Sequence, residues 1–462
     1  MGGSRKIAVG LGVAGLCAAL SLLLFKPDGA QAIAQGPQAA GASFVGVATC
    51  GGSTCHGRSE ADGAVVRQDE IMLWQDPASA AGAHSRAYAV LRDPRSQVIA
   101  QRLGIGEATS APMCLGCHAT PAPAGQRGPR FQLSDGVGCE SCHGAASGYL
   151  SSHYAVGATN ANNVSRGLIP LQNPRARAAV CLDCHFGSAQ EGQFVTHRIM
   201  AAGHPRISFE LDLFTTLQAH HQEDEDYRQR KGRSEALRTW AVGQAMALER
   251  SLSLYASAGR GTDGAWPEFF FFDCHSCHRQ ITDDVNYRPS AVANPGRPIP
   301  SGMPPYNDEN MIMLSAAARV IAPQLAQRFD TDSRAFHQAI ARDRNTAVAA
   351  AGRLRESARA LSQAFSTANM GRATTFAIID AITSEAISPR FTDYAGSVQA
   401  VMATDTLLSS LVSSGEVPER TANSIRVDIN GAYRAVRDPN AYSPGEFRVS
   451  LGRAAAAIRR LR

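Results

Sequence analysis

Five times this chain places two cysteines a short gap apart with a histidine directly after the second. The runs are Cys50-Gly-Gly-Ser-Thr-Cys55-His56, Cys114-Leu-Gly-Cys117-His118, Cys139-Glu-Ser-Cys142-His143, Cys181-Leu-Asp-Cys184-His185 and Cys274-His-Ser-Cys277-His278. Two thiols at this spacing add across the two vinyl groups of a haem, and the adjacent histidine binds the iron, so each run is a c-type haem attachment signal. Four runs have the usual two-residue gap. The first has four residues, and Gly51 and Gly52 let the chain loop there without steric cost. The runs use ten of the 11 cysteines and leave only Cys17. Zinc knuckles and disulfides also pair cysteines, but neither requires a histidine after every pair. The expectation is five covalently bound c-type haems, with iron held by His56, His118, His143, His185 and His278.

That expectation sets the fold class. The chain should be mainly α, with short helices and long loops around stacked haems, followed by a C-terminal helical domain. The haem region is expected over residues 45–285. A Pro/Gly-rich linker follows at 286–307, and residues 308–462 hold no cysteine. Helical periodicity appears over 233–258 inside the haem region, and over 311–326, 333–365, 373–387 and 394–413 beyond the linker.

The N-terminus reads as a targeting segment over residues 1–32. Arg5 and Lys6 precede an apolar run from Ile7 to Phe25, and Ala30-Gln-Ala32 suits signal-peptidase cleavage. The run is also long enough to span a bilayer, so a cleaved signal and a retained membrane anchor both remain open. Residues 33–44 form a flexible lead-in. Either route places the haem region on the periplasmic or extracellular side.

The formal charge of +5 does not signal a nucleic-acid partner. No Lys/Arg run interleaved with aromatic residues occurs, and five haems would add ten propionates. Expected partners are redox proteins that donate and accept electrons, with a membrane complex as a further candidate.

The second axial position decides what each haem does. A second histidine gives a six-coordinate electron carrier, and an open position gives a site for small-molecule chemistry. Thirteen histidines minus the five in the runs leave eight: His84, His153, His197, His204, His220, His221, His275 and His337. The candidates are His84, His153, His197, His204 and His221. Gly203 and Pro205 bracket His204, so it and His197 can serve different haems. His220 and His221 are adjacent and cannot both face one haem from a helix. His275 sits inside an attachment loop, and His337 is expected on a solvated helix surface.

Gly136-Val-Gly-Cys-Glu-Ser-Cys-His-Gly144 closely resembles the third haem site of the cytochrome c-554 family, tetrahaem electron carriers typified in ammonia oxidisers. The surrounding order matches across residues 45–190: a first haem, Trp74, a His84-Ser-Arg-Ala segment, the run at Cys114, the Cys-Glu-Ser-Cys-His block, His153, and the run at Cys181. The resemblance implies that His84 and His153 are distal ligands and that the haem on His118 lacks one. This chain departs from the pattern in its longer first gap, its fifth haem and its C-terminal helices.

The expected function is an exported pentahaem cytochrome that relays electrons between redox partners. The alternative is a haem-dependent oxidoreductase acting on a small nitrogen or sulfur compound at one five-coordinate haem. No Cys-x-x-Cys-Lys run occurs, which removes the usual mark of pentahaem nitrite reductases. A scaffolding cytochrome docked through its C-terminal helices is a third class.

Overall fold

The fold is seen in a computed structural model that describes residues 41–63, 66–231, 235–262, 266–278, 296–299, 303–388 and 394–462. The expected targeting segment and most of the linker lie outside these residues. Everything described belongs to one compact unit, Gly36–Arg462. It is mainly helical, and the described residues contain no strand, only isolated bridges between Phe44 and Arg127 and between Phe272 and Tyr306. Among the described residues no helix is long and apolar enough to cross a membrane.

The first part consists of short helices, and its punctuation explains them. Proline opens Pro94–Leu103, Pro112–His118 and Pro174–His185, where its missing N–H costs no hydrogen bond and its fixed φ suits the first turn. Two attachment runs therefore sit at the ends of proline-started helices, and a third fills the helix Cys139–His143. Gly144 ends that helix at φ +83°, a region that disfavours side chains, and a Cβ there would stand 2.5 Å from the Gly167 carbonyl oxygen.

The second part is a helical bundle. Its helices are Ala236–Ala256, Glu309–Ile321, Pro323–Ile340, Arg344–Thr367, Arg372–Ala386, Tyr394–Ser413, Glu419–Ala435 and Pro444–Arg459. The helix Ala236–Ala256 precedes the linker, yet it packs against Arg344–Thr367 and Glu309–Ile321, so the bundle draws on both sides of the linker. Trp240, Tyr255, Phe336 and Phe365 are fully buried there. A buried amide network ties the helices: Asn310 Nδ2 donates to Gln244 Oε1 at 2.7 Å, and Gln244 Nε2 donates to Gln399 Oε1 at 3.0 Å.

Two expected helices are shorter than the periodicity suggested. Pro323 starts a new helix instead of continuing the one before it. Asp343 caps a new start by accepting from Thr346 N, which divides the expected 333–365 helix. His337 is a correction. It is buried rather than solvated, with Nδ1 donating to the Ser333 carbonyl at 2.8 Å and Nε2 3.3 Å from Asp308 Oδ2.

The bundle grips the attachment region directly. Helix Pro174–His185 packs on Ala236–Ala256. Arg250 Nη1 donates to Asp183 Oδ1 and to the Gly187 carbonyl, both at 2.7 Å, immediately around His185. At the last attachment run, His275 Nδ1 donates to the Pro439 carbonyl at 2.8 Å, so this histidine serves a packing contact.

Candidate haem-binding site

Each motif histidine faces another histidine. The ring centroids of His56 and His153 are 6.1 Å apart, His185 and His84 6.0 Å, His118 and His204 6.3 Å, and His278 and His197 6.2 Å. His143 faces two, His221 at 6.0 Å and His220 at 6.5 Å. An iron held at about 2 Å by a nitrogen of each ring, with each nitrogen about 1.1 Å from its ring centre, separates two centroids by about 6.2 Å. All of these distances fit an iron between the rings.

The sequence brought these partners from far apart. His84 and His185 lie on separate loops and helices, and a short helix, His197–Ala201, presents His197 while the turn after it presents His204. Thr196 caps that helix by accepting from Ile199 N. At His118, where the resemblance implied an open position, the His204 ring stands 6.3 Å away.

Hydrogen bonds orient the rings. His118 Nδ1 donates to the Ala87 carbonyl at 2.7 Å, His204 Nδ1 to Pro205 at 2.8 Å, and His220 Nδ1 to Gln218 at 3.0 Å. A proton held at Nδ1 leaves Nε2 bare, which is the nitrogen a metal would take. Burial supplies the right protonation state. It pushes the His143 pKa down to about 3, helped by the charges of His221 and His220, and it pushes His185 and His220 to about 4. These imidazoles are neutral at ordinary pH, the form that binds metal. His84, His153, His197 and His204 are also lowered, burial being the main cause in each.

The cysteines pair across runs as well as within them. The thiol of Cys50 lies close enough to that of Cys139 to shift its titration, as does that of Cys184 to that of Cys117. Cys142 lies close enough to Cys181 to act on its charge; with burial as the main cause, the Cys181 thiol is pushed up to about 12. The second run approaches its neighbour with no space to spare: a Cβ on Gly116 would stand 2.5 Å from the Gly192 carbonyl oxygen. Cys55 and Cys277 are exposed, whereas Cys114, Cys117, Cys139, Cys142, Cys181 and Cys184 are half-buried.

Two glutamates complete the site, and neither was singled out from the sequence. Glu140, inside the third run, accepts from Val45 N and Ala146 N on Oε1 and from Gly46 N on Oε2, each at 2.8 Å. It anchors the incoming chain to that run. Glu70 Oε2 accepts from His56 Nδ1 at 2.9 Å. Glutamate in a short helix carries no sequence signal that separates it from a solvated one.

One pocket among the described residues, of about 150 Å³, is lined by Met113, Phe194, Thr196 and Arg198 among others, next to the run at Cys114 and to His197.

No curated protein and no solved structure matches the chain. Residues 53–144 match the family described as cytochrome c554 and c-prime, a stretch that includes His56, His84, His118 and His143. Covalent c-type haem and electron transfer go with that family, and over this segment the mainly helical chain is similar to it.

Proposed function

We propose that this protein is an exported five-haem electron relay in which every iron is held by two histidines. The observation that carries this reading is the facing of every motif histidine by another imidazole at 6.0–6.5 Å. The proposed pairs are His56 with His153, His118 with His204, His143 with His221, His185 with His84, and His278 with His197. The bound haems would supply one-electron chemistry, at potentials set by axial ligands, burial and hydrogen bonds.

The chain's own residues arrange an order. Contact between Cys50 and Cys139 brings the sites of His56 and His143 side by side. The proximity of Cys142 to Cys181 joins the sites of His143 and His185, and contact of Cys184 with Cys117 joins those of His185 and His118. The segment that carries His197 and His204 links the site of His118 to that of His278. The order is therefore His56, His143, His185, His118, His278. Cys55 and Cys277, at its two ends, are exposed, which suits entry and exit of electrons to separate protein partners. Paired imidazoles leave no position for a substrate, which favours relay over the oxidoreductase reading.

Intact-mass measurement tests the stoichiometry. The mature protein should carry five covalent haems, and Cys50→Ser should lower the count by one. A count below four would refute the reading.

A further inference from the structure

Residues 67–70 run alongside residues 221–224 and are joined to them by three consecutive polar contacts. The Arg67 guanidinium pairs with Asp224. Asp69 Oδ2 accepts from Gln222 Nε2 at 3.0 Å. Glu70 turns inward between two imidazoles: Oε2 accepts from His56 Nδ1 at 2.9 Å, and Oε1 lies 3.8 Å from His221 Nδ1. Glu70 is 7 % exposed, so this carboxylate has little water to screen it.

We infer that Glu70 is a shared positioning residue for two haem sites, and that it lowers the reduction potential of the haem held by His56. The inference rests on the bis-histidine reading above. A carboxylate on Nδ1–H fixes the ring, leaves Nε2 for the iron and makes the imidazole a stronger donor. Its negative charge also stabilises the ferric iron over the ferrous. His118, His204 and His220 donate instead to the neutral carbonyls of Ala87, Pro205 and Gln218. The two sites that share Glu70 are thus distinguished by charge from that of His118.

The planes of the rings give a way to watch this one site. His56 and His153 are 26° apart, whereas the His118, His143 and His185 pairs lie between 72° and 87°. Near-parallel imidazoles give a rhombic low-spin EPR signal and near-perpendicular ones a single signal at high g. EPR-monitored potentiometry of the full-length holoprotein can therefore follow the His56 site by its rhombic signal. Glu70→Gln keeps a hydrogen-bond acceptor and removes the charge. It should shift the oxidised-to-reduced equilibrium of that signal at least tenfold toward reduction, about 59 mV for a one-electron couple, with five haems retained. Glu70→Asp, which keeps the charge, should move it back toward wild type. An unchanged or lowered midpoint in Glu70→Gln overturns the inference. Should that variant fail to mature, wild type alone decides: the rhombic signal should titrate among the two lowest of the five, and any higher position overturns it. A wild-type protein with no rhombic low-spin signal would instead remove the bis-histidine reading beneath it, before any variant is made.

Discussion

His118 and His204 face one another with ring centroids 6.3 Å apart and planes at 84°. Each ring has its Nδ1 committed to a backbone carbonyl, Ala87 and Pro205 respectively. This pair bears directly on whether the protein turns over a small molecule or only carries electrons. His204→Ala should open one axial position and create one high-spin haem that binds carbon monoxide, while the wild type binds none. Optical titration with carbon monoxide checks both. A variant that stays fully low-spin would assign the second ligand of His118 elsewhere.

The choice between His221 and His220 at His143 is testable in the same way. The potential ligand atoms of the three rings lie within 4.8 Å of one another. Glu70 Oε1 lies 3.8 Å from His221 Nδ1, and the site is read with His221 as ligand. His221→Ala should yield one high-spin haem, and His220→Ala none. The reverse pattern, by low-temperature absorption, would exchange their roles.

Glu140 should matter for folding. Its carboxylate satisfies three backbone N–H groups, two of them on Val45 and Gly46 at the start of the haem region. Glu140→Ala strands all three. Each buried N–H left unpaired costs about 1–3 kcal/mol, so the loss should be on the order of several kcal/mol. Thermal unfolding of the holoprotein checks this, and an unchanged melting temperature would contradict it.

Glu210 predicts a pH dependence. It is buried where the bundle meets the segment beside His185, it caps the helix Leu211–Leu217, and it also accepts from Thr406 Oγ1 at 3.1 Å. Burial, and secondarily the charge of Asp212, push its pKa up to about 7. The folded protein therefore holds this proton more tightly than the unfolded chain does. Its contribution to stability is fully present below about pH 4.5 and is lost as pH rises through about 7, up to about 3 kcal/mol in all. Denaturant unfolding across this range should show a falling limb that Glu210→Gln flattens. An identical pH profile in that variant would rule Glu210 out as the source.

The sequence carries the attachment chemistry openly, because covalent haem demands cysteine and histidine at fixed short spacing. The bundle helices were legible from apolar periodicity, with boundaries misjudged where Pro323 and Asp343 restart the chain. What lay hidden was long-range. Nothing local to His84 announces that it faces His185 across about one hundred residues, or that His204 covers His118. The helix Ala236–Ala256 lies in the expected haem region and packs both on Pro174–His185 and on Arg344–Thr367, a partnership across the linker that no local pattern announces. Glu70 and Glu140 are ordinary glutamates until the fold surrounds them with N–H donors.

The central claim is that all five irons are held by two histidines. EPR of the fully oxidised protein tests it most directly. The account predicts low-spin signals only: a rhombic one from the His56–His153 pair, high-g signals from the three near-perpendicular pairs, and an intermediate one from His278–His197, whose planes lie at 43°. A high-spin ferric signal in the intact wild-type protein would contradict it.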